Sequence, residues 1–559
     1  MSRAKAKTKK SQKKTKTTDQ PTLSLKERLA QKRQAQLAKQ KFIKTLTISI
    51  FLAIVVGLPL IAIDLKLGLA GGLGVPCLIF SYQYPRTALW VFLIYLPFNG
   101  TVTYWVGGGN ALFQLAKDGF YIPALLALVR ECQQSQKPLL VSKKLVVPLS
   151  ILLSLSLLTL FVVNGYLDFF SDASGHPFLQ GILGLKVLLG YVPLIFCAYY
   201  LIEDKKQLLF LARLHLILAI ICCILSFAQY WMLDTGICQG TRGATGDALF
   251  RASIEAKCLV GGALTFSPSQ GQIRLPGTFV SPWHWAWFLI SNSAFAYAVA
   301  FFDPTAFWRI VGLVGLAIDF MAAVISGQRI ALFLVPVVFV TLLVLTGQIA
   351  NLKKFLPIGI GLAVLLTGIA ASNPEVVQER WDSAVARWEA SPPHSFIEEQ
   401  FKWAIREQKG LLGRGLGRGT NSTRVFGEAA LIETFHPKVL YEIGPFGTLA
   451  FVVFTTQISI VTFQCYRSVR DRSLRSFGSA YWVFIFIISY FPYWYPLDTD
   501  PVAVYYWFFA GVILKLPTID KQEQEKLKAA QESEPEITKP KGRKGRARRG
   551  KARNLQPEV

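Results

Sequence analysis

The stretch KLVVPLSILLSLSLLTLFVV (144–163) carries no charge after its leading lysine. A run of about 20 apolar residues is what an α-helix needs to cross the roughly 30 Å hydrocarbon core of a bilayer. Its flanks differ: Lys143 and Lys144 stand at one end, and residues 164–180 at the other hold no Lys or Arg. Cytoplasmic loops collect Lys and Arg, so this run places 144 inside and 164 outside.

The same pattern repeats outward along the chain. Fourteen runs can be drawn, at 44–63, 67–81, 87–98, 111–129, 144–163, 181–201, 208–231, 283–302, 308–325, 330–347, 354–371, 440–464, 477–496 and 501–516. With 52% hydrophobic residues over 559 positions, the chain reads as an all-α polytopic membrane protein of about 14 transmembrane helices (12–14). A β-barrel would show short alternating segments instead. The first run follows some 40 polar residues, which is not the form of a cleavable signal peptide.

Charge orients the bundle. Residues 1–44 hold 15 Lys/Arg against 2 acids, and 517–559 hold 12 against 7. Both termini are therefore expected in the cytoplasm. The domain reading is a basic, disordered tail over 1–43, a transmembrane domain over 44–516 and a second such tail over 517–559. Anionic lipid is the expected partner of the tails, including KGRKGRARRGKAR (541–553), and nucleic acid is not. Loops assigned inside carry Arg86, Arg130, Lys205, Lys206, Arg309, Lys353 and the cluster Arg467, Arg470, Arg472, Arg475, whereas 99–110, 164–180 and 497–500 outside carry none.

Two long segments, 232–282 and 372–439, fall outside, the second just before the twelfth span. Val377, Trp381, Val385 and Trp388, and then Ile397, Phe401 and Ile405, recur at helical spacing. They predict two amphipathic helices that lie on the membrane or cap the bundle. GLLGRGLGRGT (410–420) follows without the Lys-Ser/Thr ending of a P-loop, so it is no nucleotide site, although its arginines can meet an anion. Cys238 and Cys258 share the first outer loop and are a disulfide candidate. The five histidines lack the paired spacing of metal ligands, so neither metal nor cofactor is expected. His284, between Trp283 and Trp285, reads as a hydrogen-bonded helix residue.

Chemistry concentrates at FHPKVLYEIGPFG (435–447), where a titratable imidazole, His436, stands at a membrane boundary and Gly444 and Gly447 permit close helix approach. Arg274 and Arg329 lie at the same boundary, where an arginine is costly unless paired or facing a polar cavity. Guanidinium groups suit phosphate oxygens. Glu442 either orients the imidazole or is structural; Arg414, Arg418 and Arg424 are secondary contacts for phosphate or glycan.

In order, RLPGTFVSP (274–282), SGQRIALF (326–333) and HPKVLYEIGPFG (436–447) resemble the O-antigen ligase and polymerase family of bacterial envelope proteins. That family includes cyanobacterial members once linked to bicarbonate uptake. The similarity is best over about 270–465 and departs at Pro437 and Trp283, where Asn is usual. The resemblance implies a metal-independent, inverting glycosyltransferase in the bacterial inner membrane, its active site facing the periplasm. It would move a glycan from a polyprenyl-diphosphate carrier to a hydroxyl of a glycan, lipid or protein acceptor, in exopolysaccharide or surface-glycan assembly. Arg274 and Arg329 would hold the diphosphate, and His436 would activate the acceptor. The alternatives are a transporter or transport-associated protein, for example one related to inorganic carbon, suggested by Lys117, Asp118 and Lys186 within spans, and a non-enzymatic member of the fold.

Overall fold

In the computed structural model, residues 25–109, 111–139, 141–171, 174–245, 256–262, 264–265, 273–351, 374–390, 392–493 and 496–533 are described, with isolated positions between 360 and 371. The expected run at 354–371, apart from those isolated positions, and the basic stretch 541–553 lie outside the described residues.

The protein is an all-α polytopic membrane protein. Among the described residues nine helices are long and apolar enough to cross a bilayer, and Leu67–Gln83 and Arg329–Leu345 are shorter apolar helices. Helices suit the bilayer because each satisfies its own backbone polar groups. Helix Pro282–Phe302 is the centre of the bundle, with Trp285, Trp287 and Tyr297 fully buried. Helix Asp500–Ser533 packs against it through Tyr505 and Phe509, which meet Phe295 edge-on. The Leu25–Ile63 helix is peripheral and keeps its apolar side chains exposed, as a lipid-facing helix does.

The helix ends sort into two sets. At one end Arg86 pairs with Glu131 and Glu203, Lys205 with Asp471, and Arg213 with Asp303. At the other, Thr101 reaches Val260, Asn164 reaches Leu416, and Lys438 reaches Asp498. No segment assigned to one face in the charge reading contributes to the other among these contacts, which is how an alternating bundle must look.

Several expected boundaries change. Helix begins at Leu25, within the 1–43 tail, and the last helix runs on to Ser533, within the 517–559 tail. Both stretches are rich in Leu, Ala, Gln, Lys and Glu, strong helix formers that extend a nucleus supplied by the adjoining span. The expected run 111–129 is broken between Leu115 and Asp118, where Lys117 turns to Asp500. The run 181–201 is broken between Leu189 and Leu194, where Pro193 lacks an N–H.

Candidate functional site at the loop-bearing end

Cys238 and Cys258 are joined in a disulfide, with Cα atoms 5.6 Å apart. Cys258 lies in a two-residue hairpin, and a second hairpin pairs Leu264–Thr265 with Ile273–Arg274. The buried Gln229 ties this loop to the next segment by donating to the Cys258 carbonyl and accepting from Gly277 N. Arg274 is thereby held on an ordered strand.

From there Arg274 Nη2 donates to Gln328 Oε1 at 2.9 Å, and Leu275 N donates to the Ser326 carbonyl. The RLPG and SGQR segments, 54 residues apart, thus form one unit. Gln328 is buried, and its Nε2 has no partner among the described residues. An amide donor fixed through its oxygen and left unpaired in a low-dielectric site costs about 1–3 kcal/mol unless an acceptor arrives. Sequence reasoning missed Gln328, although its place directly before Arg329 was the available signal. Arg329 begins its helix and is exposed.

His436 lies in a short helical piece that starts at Phe435 and ends at Gly444, where φ is 70° and Pro445 follows. Only glycine enters that conformation cheaply. The break frees the Tyr441 and Glu442 carbonyls, which accept from Arg414 N at 2.8 Å and Gly415 N at 3.0 Å. The glycine-rich loop therefore threads the break, and a Cβ at Gly444 would run into the Leu411 carbonyl. Asn164 grips the same loop through both the N–H and the C=O of Leu416.

The His436 ring meets Phe435 and Phe451 edge-on and is hydrogen-bonded to the Ser489 carbonyl. Its Nδ1 has no partner among the described residues. A ring whose other nitrogen donates to a carbonyl is held as the tautomer with a lone pair on Nδ1.

Glu442 does not orient the imidazole. Its Oε1 accepts from Gly419 N at 2.8 Å and Thr420 Oγ1 at 2.9 Å, and Oε2 lies 3.9 Å from Lys438 Nζ. Lys438 in turn contacts Asp498 at 2.5 Å. Burial pushes the Asp498 carboxyl above its usual range, against the pull of the Lys438 ammonium. Arg414 is also committed, donating to the Glu407 carbonyl at 2.5 Å and lying 3.5 Å from its carboxylate. Arg418 and Arg424 instead line a cleft with His176. Gly447 packs on Ile443 across the helix break.

The charges noticed inside spans form one cluster. Lys117 Nζ lies 2.8 Å from Asp500, Lys186 Nζ 2.9 Å from Asp118, and Tyr191 OH 3.3 Å from both carboxylates. His284 bonds to Ser281 Oγ through Nδ1 and feels the charges of Asp500 and Lys117. The turn at 496–500 thus sends Asp498 to the His436 helix and Asp500 into the bundle.

Comparison with protein-family models gives no match, and comparison with curated proteins gives none either.

Proposed function

We propose that this protein transfers a glycan from a polyprenyl-diphosphate carrier to an acceptor hydroxyl at the loop-bearing end of the bundle. The observation that carries the reading is the bond from Arg274 to Gln328, directly before Arg329 in the chain, with a buried Gln328 amide donor that has no partner among the described residues. That set of donors fits an acceptor-rich dianion better than a neutral solute.

In the proposed step the acceptor oxygen attacks the anomeric carbon of the donor sugar from the face opposite the diphosphate. The new C–O bond forms as the bond to the phosphate oxygen breaks, and the leaving diphosphate takes the electron pair. Arg274, Arg329 and Gln328 neutralise or hydrogen-bond the charge that develops there. The acceptor proton passes to Nδ1 of His436, which has no bonded partner among the described residues. The order of the three motifs, which resembles that of the O-antigen ligases and polymerases, supports the same reading. The proposed location is the bacterial inner membrane, with the site facing the periplasm and both termini in the cytoplasm, as the Lys/Arg distribution favours.

One observation favours transport instead. Asp319 is fully buried in helix Ala306–Ile325, beside Asn292 and with no ion-pair partner among the described residues. Intramembrane carboxylates often mark ion pathways. A deletion strain separates the two. Accumulated carrier-linked glycan with loss of surface polysaccharide supports transfer, whereas altered solute uptake with normal surface polysaccharide overturns it.

A further inference from the structure

The cleft that holds Arg418 and Arg424 has a volume of about 810 Å³. That lies within the roughly 300–1,000 Å³ range of clefts that take small organic ligands. Its walls come from two distant parts of the chain and are stapled together. His176 N donates to the Phe426 carbonyl at 2.6 Å, and the buried Gln180 donates to the Glu428 carbonyl at 2.9 Å. Ala430 N closes the loop on the Arg418 carbonyl at 2.7 Å, and Thr423 Oγ1 donates to the carbonyls of Gly417 and Thr420. A Cβ on Gly175, where φ is 83°, would collide with the Phe426 carbonyl. The cleft is therefore preformed, so a ligand that enters meets little ordering cost.

Its chemistry is mixed in a specific way. Arg418, Arg424 and His176 share the lining with one acidic residue, Glu428, and neither arginine has an ion-pair partner among the described residues. Phe426 and Tyr441 add aromatic surface. Aromatic rings cover the apolar faces of sugars, arginine forks match carboxylates, and a single carboxylate accepts from hydroxyls. A diphosphate alone needs no aromatic wall, and an apolar ligand needs no arginines.

Position matters too. Tyr441 and His436 share the short helix before Gly444 but are five residues apart. That is about 7.5 Å along the axis and about 140° around it. The cleft opens on a different face from the imidazole, so it suits a part of the substrate remote from the reacting carbon.

We propose that this cleft is a remote glycan subsite that binds an acidic saccharide segment, with Arg418 and Arg424 on its carboxylate and Phe426 and Tyr441 against its rings. The proposal rests on the glycan-transfer reading and names the class of glycan it handles. Binding remote sugars would supply energy for orienting the reacting end, as remote contacts do in other transferases.

The test is direct binding of trigalacturonic acid, with maltotriose as neutral control, to the full-length protein in lipid nanodiscs. We expect saturable binding of the acidic trimer, at least tenfold weaker for maltotriose and at least tenfold weaker in the Arg418→Ala/Arg424→Ala variant. The thermal midpoint of that variant should match wild type, and Arg418→Lys/Arg424→Lys should recover only part of the affinity. His436→Ala should bind the trimer normally. Equal binding of maltotriose, binding unchanged in the double alanine variant, or no binding at all would overturn the subsite. Displacement of the trimer by pyrophosphate at equal concentration would also overturn it, by assigning the arginines to the donor's diphosphate. Glycan transfer that persists with no trimer binding would sink the subsite and leave the transfer reading standing; trimer binding in a protein without transfer does the reverse.

Discussion

His436 and Gln328 each carry one buried ring or amide nitrogen with no bonded partner among the described residues, and that sets the residue-scale expectations. His436→Ala removes a base whose contribution is about two to four orders of magnitude in rate. Transfer in membrane vesicles should fall by that much while expression and thermal midpoint stay near wild type; near-normal surface glycan in the variant would remove His436 from the step. Gln328→Leu keeps the volume and removes the donor. It should weaken donor use and lower transfer while leaving insertion intact, and unchanged donor saturation would show that the amide is not a phosphate contact. The Lys117–Asp500 pair belongs to stability instead. Lys117→Met leaves the half-buried Asp500 carboxylate with Tyr191 and the nearby Lys186 and should cost up to about 3 kcal/mol, whereas Lys117→Met with Asp500→Asn should restore most of it. Thermal unfolding in detergent, followed by tryptophan fluorescence, distinguishes the two outcomes.

Helix Phe435–Ser468 is one apolar stretch to the eye, yet Gly444 splits it and the 410–420 loop fills the gap. The loop and the break support each other: the freed carbonyls bond to loop amides, and the Glu442 side chain adds bonds to Gly419 and Thr420. Gly444→Ala should therefore cost at least about 1–3 kcal/mol, because a Cβ enters a positive-φ position against the Leu411 carbonyl. It should also expose Arg414 and Arg418 to trypsin. Limited proteolysis that leaves the loop as resistant as in wild type would show that the two features are uncoupled. The disulfide acts on another element, closing a loop of about 20 residues that positions Arg274, and by chain entropy it contributes about 3 kcal/mol.

At the scale of the molecule, every proposed contact with substrate sits at one end of the bundle and the Lys/Arg-rich pairings sit at the other. Asn421→Cys and Val425→Cys lie on exposed positions at the loop-bearing end, and Ser468→Cys lies exposed at the opposite end. A membrane-impermeant maleimide should label the first two on intact cells and the third only after permeabilisation. Label at Ser468 on intact cells would invert the protein and place the proposed site in the cytoplasm, where no lipid-linked glycan exported for assembly would meet it. Positions such as Thr278 and Thr420 are too buried for this purpose.

Apolar run length and loop charge made the helical membrane class legible, because the bilayer demands about 20 apolar residues per crossing and the topology signal is carried by Lys and Arg alone. The two helices over 374–407 were equally plain from periodicity. Side-chain roles at the loop-bearing end were a different matter. Arg414, Arg418 and Arg424 look alike in GLLGRGLGRGT and just beyond it, but Glu407 claims the first and a cleft receives the other two. Glu442 stands near His436 in the chain and bonds to Gly419 and Thr420 instead. Asp498 and Asp500 read as turn residues until Lys438 and Lys117 close on them. Hydropathy and charge patterns are sums over neighbours in sequence, whereas a hydrogen bond is made by whichever group lies within about 3 Å, and that distance is set by helices packing across hundreds of residues.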